Sequence, residues 1–253
     1  MKFEAIGEGV TMFLGDCREL LPTLDRTCSI VTDNPYGMDW DTDSSRFSGG
    51  DPEKSQRSQD QAKGKNSGRR DWGGVENDNE PFDPVPWLEF RSTVLWGANH
   101  FANRLPVGRM LLWLKKPPAN FGTFLSDFEV GWASGGHGCF AHFRQFPPPS
   151  RMVENDGISV GHPTQKPISL MSWCISEFAR GSQPIIDPYA GSGTTGVAAV
   201  GLGRSFIGIE KDSRYFETAC RRISQALARP RLFVDQPQAK PTQGFLGFEN
   251  VEG

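Results

Sequence analysis

Two short stretches carry side chains whose types and spacing can do chemistry. In the first, the apolar run Cys28-Ser29-Ile30-Val31 leads into Asp33-Asn34-Pro35-Tyr36 and a turn at Gly37. A buried strand gains no packing from a terminal acid. A proline of fixed φ, however, holds a carboxylate and an aromatic face close together. In the second, Ile185 and Ile186 run into Asp187-Pro188-Tyr189-Ala190, and Gly191 and Gly193 bracket a tight loop into a helix starting near Thr194. Glycines at such a loop let backbone amides approach a ligand at the carboxyl edge of an α/β sheet. The next strand ends in Glu210, an acid placed to accept two hydrogen bonds from a ribose diol.

The second stretch narrows the ligand. Gly191, Gly193 and Gly196 spell GxGxxG with an acid about twenty residues on, the spacing of a dinucleotide fingerprint. Asp187, though, sits awkwardly beside a pyrophosphate and suits an ammonium group. A P-loop is excluded, because no lysine stands between the glycines and Thr194. A ligand with a ribose and an amino group but no phosphates fits, and S-adenosylmethionine is one. The first stretch then acquires a purpose. An exocyclic amine on a nucleobase is a poor nucleophile, because its lone pair is delocalised into the ring. A carboxylate (Asp33) and a backbone carbonyl (that of Asn34) accepting its two N–H bonds localise the lone pair. The Tyr36 ring stacks on the base, worth roughly 1–3 kcal/mol, and Pro35 stiffens the loop. A base inside a duplex reaches such a pocket only by being flipped out.

These residues need elements to position them. The sequence predicts a strand at Val10–Leu14, a turn at Gly15-Asp16, a helix over 18–24 and a strand over 28–32. A helix, a short strand and another helix follow within 86–105, then strands over 108–115 and 126–134 and a Gly- and Pro-rich stretch over 135–161. A helix over 167–179, the strand–glycine loop–helix–strand unit around residues 184–212 and an amphipathic helix over 213–228 complete the pattern. This alternation predicts an α/β fold with a sheet covered by helices on both faces. Residues 1–228 read as one domain, with a polar, basic insertion at 41–80 and an extended Pro-, Gln- and Gly-rich tail at 229–253. Trp40, Trp96 and Trp113 read as packing residues.

With 253 residues, 37 % of them hydrophobic, a substantial core is available. The formal charge of -3 gives no global sign of a nucleic-acid partner, but residues 54–70 hold six bases against one acid, and 104–116 four bases and no acid. Such runs serve either as solvated loops or as phosphate contacts. The five cysteines are scattered with no CxxC pair, so neither a disulfide framework nor a zinc ribbon is expected. His137, Cys139 and His142 offer three metal ligands but no evident fourth, and no metal site is expected. No apolar segment marks a signal peptide or a membrane span, so a cytoplasmic protein is expected.

The stretch Thr32-Asp33-Asn34-Pro35-Tyr36-Gly37 resembles the (D/N/S)PPY motif of amino-methyltransferases, and residues 187–195 resemble their S-adenosylmethionine-binding motif. The catalytic motif comes first and the cofactor loop late. With Gly15-Asp16-Cys17 and His162-Pro163-Thr164-Gln165-Lys166-Pro167, this permuted order resembles the beta-group DNA amino-methyltransferases of bacteria and phages, over residues 10–40 and 94–225. The resemblance implies a Rossmann-like methyltransferase sheet and methylation of a flipped base in DNA. An acid at position 33 implies N6 of adenine, where serine would imply N4 of cytosine. It further implies that Asp16, beside Cys17, contacts the cofactor adenine, and that Thr164, Gln165 and Lys166 lie near its methionine end. Asp187, Tyr189, Gly191, Ser192, Gly193, Thr194 and Thr195 line the loop, and Glu210 holds the ribose. Asp16 read by itself is also a turn or cap residue. Target reading is expected within 41–160, restriction–modification is one setting, and a homodimer is one assembly. Rival readings are an N4-cytosine enzyme, an N6-adenine RNA enzyme, a noncatalytic binding protein on the same fold and, further off, an NAD-dependent oxidoreductase. Asn34 departs from the family's proline: the backbone carbonyl survives, but a looser loop is expected.

Overall fold

The computed structural model describes residues 2–37, 80–122, 126–143 and 165–229. The basic run over 54–70, Trp40, Thr164, nearly all of the insertion at 41–80 and all but the first residue of the tail at 229–253 lie outside the described residues. Nine strands form one mixed sheet. In chain order they are β1 (Lys2–Gly7), β2 (Val10–Leu14), β3 (Ser29–Thr32), β4 (Ser92–Trp96), β5 (Arg109–Leu114), β6 (Phe128–Ala133), β7 (Cys139–Phe143), β8 (Ile185–Asp187) and β9 (Phe206–Glu210). The α-helices among the described residues are α1 (Cys17–Leu20), α2 (Ile168–Phe178), α3 (Thr194–Gly201) and α4 (Ser213–Ala228).

The spatial order is β1-β2-β9-β8-β3-β4-β6-β5-β7. The five adjacent strands β2, β9, β8, β3 and β4 are mutually parallel, whereas β1 and β6 run antiparallel to their neighbours. All five carboxyl ends therefore open on one edge of the sheet. The late unit β8–α3–β9 is inserted in space between β2 and β3, which brings residues 187–210 alongside residues 14–36.

Each parallel strand is apolar on both sides because both faces of the sheet are covered. Alternation along β3 sends Val31 to one face and Ile30 to the other. On the first face Val31, Met12, Val94 and Trp96 pack with Leu170, Ile175, Val197, Phe216 and Ile223 of α2, α3 and α4. On the second, Ile30, Leu95, Ile186 and Ile209 pack with Cys17, Phe82, Trp87, Phe90 and Phe101. Trp96 and Trp113 are core residues as expected.

The Rossmann-like layering follows the sequence expectation, and the departures are local. The helices expected within 86–105 are three single 3-10 turns, Val85–Trp87, Ala98–His100 and Ala102–Arg104. Prolines at 84, 86 and 106 and a left-handed Gly97 leave no room for longer helices. The helix expected over 18–24 stops at Leu20 and tightens into a 3-10 turn containing Pro22. Two edge strands lacked a sequence signal: β1 is almost wholly exposed, and β7 lies in the Gly-rich stretch, held by β5 alone.

Gly193 shows how tightly the glycine loop sits on the helical layer. Its φ is +81°, and a Cβ there would lie 2.8 Å from the Ala219 Cβ and 2.9 Å from its Cα on α4. Gly193→Ala combines a left-handed penalty of roughly 1–2 kcal/mol with an overpacking cost of similar size. We expect its thermal midpoint to fall by about 5–10 °C, read from a circular-dichroism melt.

Candidate functional site

Four acids stand at or just beyond the carboxyl ends of four adjacent parallel strands: Asp16 after β2, Glu210 on β9, Asp187 on β8 and Asp33 after β3. They share one open cavity of about 1130 Å³. Cys17, Asn34, Pro35, Tyr36, Gln165, Lys166, Tyr189, Gly191, Ser192, Thr194 and Thr195 also line it. Of the site residues expected from sequence and described here, only Gly193 is outside the lining, because it backs onto α4.

At one end of the cavity a buried ammonium organises the Asp33 loop. Lys166, only 4 % exposed, donates to Asp33 Oδ1 at 2.7 Å and to the Tyr36 hydroxyl at 3.0 Å, and pairs with Glu129 Oε2 at 3.0 Å. Tyr36 in turn donates to Asp33 Oδ1 at 3.0 Å. Both bonds fall on the same oxygen, so Oδ2 of Asp33 keeps its accepting capacity, with no partner among the described residues. The second oxygen of Glu129 accepts from Lys115 at 2.9 Å. Burial works against the Lys166 charge, but the Asp33 and Glu129 carboxylates outweigh it and raise its pKa. Burial likewise opposes ionised Glu129, yet the Lys166 and Lys115 ammoniums hold it down at about 2.

The Tyr36 ring stacks on His100, centroids 5.3 Å apart and planes 16° from parallel. Gly97, with φ +75°, makes room for that ring; a Cβ there would lie 2.2 Å from Tyr36 Cδ1. Asn34 is 3 % exposed, and its Nδ2 donates to the Pro35 carbonyl at 3.0 Å. The side-chain amide thus gives the loop a tie where the family's proline would fix φ. The amide oxygen has no hydrogen-bond partner among the described residues.

At the other end, Asp187 is 2 % exposed and accepts from the Thr32 hydroxyl at 2.6 Å and the Tyr189 N–H at 3.1 Å. Burial pushes it up to about 6, even though hydrogen bonds from Thr195 and Thr32 favour its ionised form. Glu210 accepts three backbone N–H groups, Gly191 at 2.7 Å and Lys211 and Asp212 at 2.8 Å. Its pKa is still raised, because burial outweighs those bonds. Asp16 caps α1 through the Arg18 N–H and pairs with the Arg18 guanidinium, which holds it down at about 2. Burial raises the Cys17 thiol to about 11, so Cys17 is a packing group in the cavity wall.

Several contributors were not picked out from sequence. Arg222, 3 % exposed, donates from α4 to the Ser192 carbonyl at 2.6 Å and to the Ser192 and Thr194 hydroxyls, tying the glycine loop down. A signal existed, since position 222 is three residues from buried Ala219 on the apolar stripe of α4. Glu129 is an acid inside an otherwise apolar strand, also readable. Thr32, His100 and Gly97 carry no comparable mark. Among the described residues no cluster of three His, Cys, Asp or Glu is placed to hold a metal. His142 stacks instead on Trp173, centroids 5.2 Å apart. No described helix is long and apolar enough to cross a membrane.

Asp187 has a distinct pH signature. Its folded pKa lies above the unfolded value near 3.8, so its contribution to stability is complete below that value and is lost as pH rises through about 6. A shift of this size corresponds to on the order of 3 kcal/mol. Asp187→Asn keeps a carbonyl oxygen for the Thr32 hydroxyl. We expect it to gain thermal stability relative to the parent as pH rises from 4 to 7, read from paired melts across that range.

Comparison with known proteins gives three kinds of likeness. The model of the N6/N4 methyltransferase family, described as DNA methylase, matches residues 47–221, a span that contains the glycine loop and Lys166 but begins after Tyr36. A 64-residue stretch is 48 % identical to the type II methyltransferase M2.MboI of Moraxella bovis, covering 25 % of this chain and 23 % of that protein. Another of 80 residues is 39 % identical to the type II methyltransferase M.HinfI of Haemophilus influenzae, covering 32 % and 22 %. The chain thus spans less than a quarter of the length of either relative. Among solved structures, an M1.HpyAVI–SAM complex aligns over 84 % of this chain and 98 % of its own, at 19 % identity and a TM-score of 0.46. A putative DNA modification methylase from Thermus thermophilus, complexed with S-adenosyl-L-methionine, aligns over 86 % and 95 %, at 17 % identity and a TM-score of 0.48.

Proposed function

Because this chain belongs to the N6/N4 DNA methylase family, we propose that it transfers a methyl group from S-adenosylmethionine to the exocyclic N6 amine of adenine in DNA. The observation that carries this reading is the Asp33 carboxylate. One of its oxygens is anchored by Lys166 and Tyr36, and the other is left as an acceptor in the cavity it shares with Asp187 and the glycine loop.

The cavity residues fit the methyl donor. Asp187 is a buried anion with only neutral hydrogen-bond donors among the described residues, which suits an ammonium group. Asp187, the loop from Tyr189 to Thr195 (with Gly193 as its packed base) and Glu210 would hold the donor, the last through its ribose hydroxyls. Asp16 and Cys17 flank the adenine end, and Thr164, Gln165 and Lys166 the methionine end. When bound, the donor supplies a sulfonium-activated methyl group.

The chain's own residues do the rest. Asp33 Oδ2 accepts one N–H of the target amine and the Asn34 carbonyl the other, which concentrates the lone pair on nitrogen. Tyr36 supplies a ring for stacking, as it does now toward His100, and the flipped base exchanges duplex stacking for that surface. Pro35 and the Asn34 amide bond keep the carboxylate, the carbonyl and the ring at fixed spacing. The acid at position 33 supports adenine over cytosine. The catalytic motif precedes the cofactor loop in the chain, which is the beta-group order. Target reading falls to residues within 41–160, with the bases of 54–70 contacting backbone phosphates. A bacterial setting and a restriction partner accord with the type II relatives, which come from bacteria.

The direct test is transfer of labelled methyl to unmethylated duplex DNA, followed by nucleoside separation. We expect N6-methyladenine with the parent and a loss of roughly a hundredfold to a thousandfold in Asp33→Ala. N4-methylcytosine, or label in RNA only, would move the substrate; no label in any nucleic acid would sink the reading. A second expectation concerns pH. Donor binding requires ionised Asp187, so its Kd should weaken about tenfold per unit as pH falls below about 6, measured by titration calorimetry. A flat profile between pH 5 and 7 would remove Asp187 as the ammonium partner.

A further inference from the structure

The partner of Lys166 that lies outside the Asp33 loop is Glu129, a β6 residue to which the chemistry above gives no task. We propose that Glu129 is a positioning residue that shares Lys166 with Asp33, holding the ammonium on the Oδ1 side and keeping the pocket from turning net positive. This rests on the reading that Asp33 accepts from the target amine.

The geometry is a saturated ammonium. Lys166 has three hydrogens and three acceptors within 3.0 Å: Asp33 Oδ1, Glu129 Oε2 and the Tyr36 oxygen. Glu129 is itself held from behind by Lys115; Lys115, Glu129 and Asp33 are each about a quarter exposed, whereas Lys166 is only 4 % exposed. Take the Glu129 carboxylate away and, among the described residues, the third hydrogen loses its charged acceptor. An ammonium 2.7 Å from one carboxylate oxygen then gains by bridging to the other, and Oδ2 is the oxygen that must stay open for the amine. The local set also changes charge. Asp33, Glu129, Lys166 and Lys115 sum to zero; without Glu129 the same set carries one positive charge.

That charge matters for the reaction proposed. The new N–C bond forms as the methyl carbon's bond to sulfur breaks, so the amine nitrogen becomes positive and discharges by losing an N–H proton to water. The Glu129 carboxylate keeps the surroundings of that nitrogen from carrying a net positive charge, and being preorganised it needs no rearrangement at the moment of transfer. The opposing account, a β6 ion pair that merely staples Lys166 into the fold, predicts a loss of stability with no preference for the chemical step.

Glu129→Gln, Lys166→Met, the double variant and Glu129→Asp separate the two on the full chain. We expect Glu129→Gln to lower kcat by about tenfold to a hundredfold while the Kd for donor and for DNA stays within about threefold. Glu129→Asp should recover part of the loss. The loss in the double variant should be smaller than the product of the two single losses, because each removes the same shared contact. Independently of activity, the Lys166 ammonium should give a slowly exchanging 15N–1H signal in the parent, and its proton exchange should speed up at least tenfold in Glu129→Gln. Multiplicative losses, an effect confined to Kd or melting temperature, or unchanged ammonium exchange would overturn the proposal. A parent that methylates no nucleic acid would instead overturn the function on which it rests, with the exchange measurement still reporting whether Glu129 holds Lys166.

Discussion

A buried ammonium must be compensated, and the compensation of Lys166 draws the catalytic end of this molecule together. Its partners come from the loop after β3 and from strand β6, while Lys166 itself belongs to the segment leading into α2. Removing either carboxylate would leave a buried charge short of a partner, a loss of a few kcal/mol where such pairs have been broken. The same pairing fixes which oxygen of Asp33 is engaged. A fold contact and a chemical asymmetry are thus one interaction, and Tyr36 is drawn in through its hydroxyl.

The parallel centre of the sheet explains why acids of one chemical type divide the work. Strands running in one direction deliver their carboxyl ends to one edge, so Asp16, Glu210, Asp187 and Asp33 arrive in a row without any further device. What differs is what each meets there. Asp16 meets a guanidinium and is pinned as a cap; Glu210 meets three backbone N–H groups; Asp33 meets a lysine. Among the described residues Asp187 meets only hydroxyls and amides, and burial drives it up to about 6. An anion short of positive charge in a walled cavity is a place for a cation, so the electrostatics separate the ammonium end from the amine-accepting end.

Much of this was legible in the sequence, and the limits are physical. Strands buried on both faces, such as β3 and β8, announce themselves as continuous apolar runs that end in an acid. The glycine loop is local in sequence, and so are its approach to β9 and the cap at Asp16. Edge strands β1 and β7 are exposed and carry no alternation to read. Helical periodicity within 86–105 was overridden by prolines and the left-handed Gly97. The long-range partners were beyond reach for a different reason: nothing in the types of Glu129 and Lys166, thirty-seven positions apart, says that both converge on residue 33. Gly193 was legible as a necessary glycine, and the structure adds a neighbour that the loop pattern does not show, Ala219 of α4.

Asn34 shows how a family pattern can be kept by other means. A proline there would fix φ and restrict the unfolded chain, an effect of about 0.4–1 kcal/mol. The Asn34 amide restricts the folded loop instead, through a hydrogen bond to the next carbonyl worth about 0.5–1.5 kcal/mol. The two devices are comparable in size and differ in kind: proline acts whether or not the loop is folded, whereas the amide acts only once Pro35 is in place. The exchange also has a cost, because the donor is used and the buried amide oxygen is left unpartnered among the described residues. That oxygen is oriented by the Pro35 carbonyl, since turning the amide over would set two acceptors against each other. Stiffness in this loop is therefore conditional on the fold around it, and the Lys166 network supplies that condition by holding Asp33 and Tyr36 on either side.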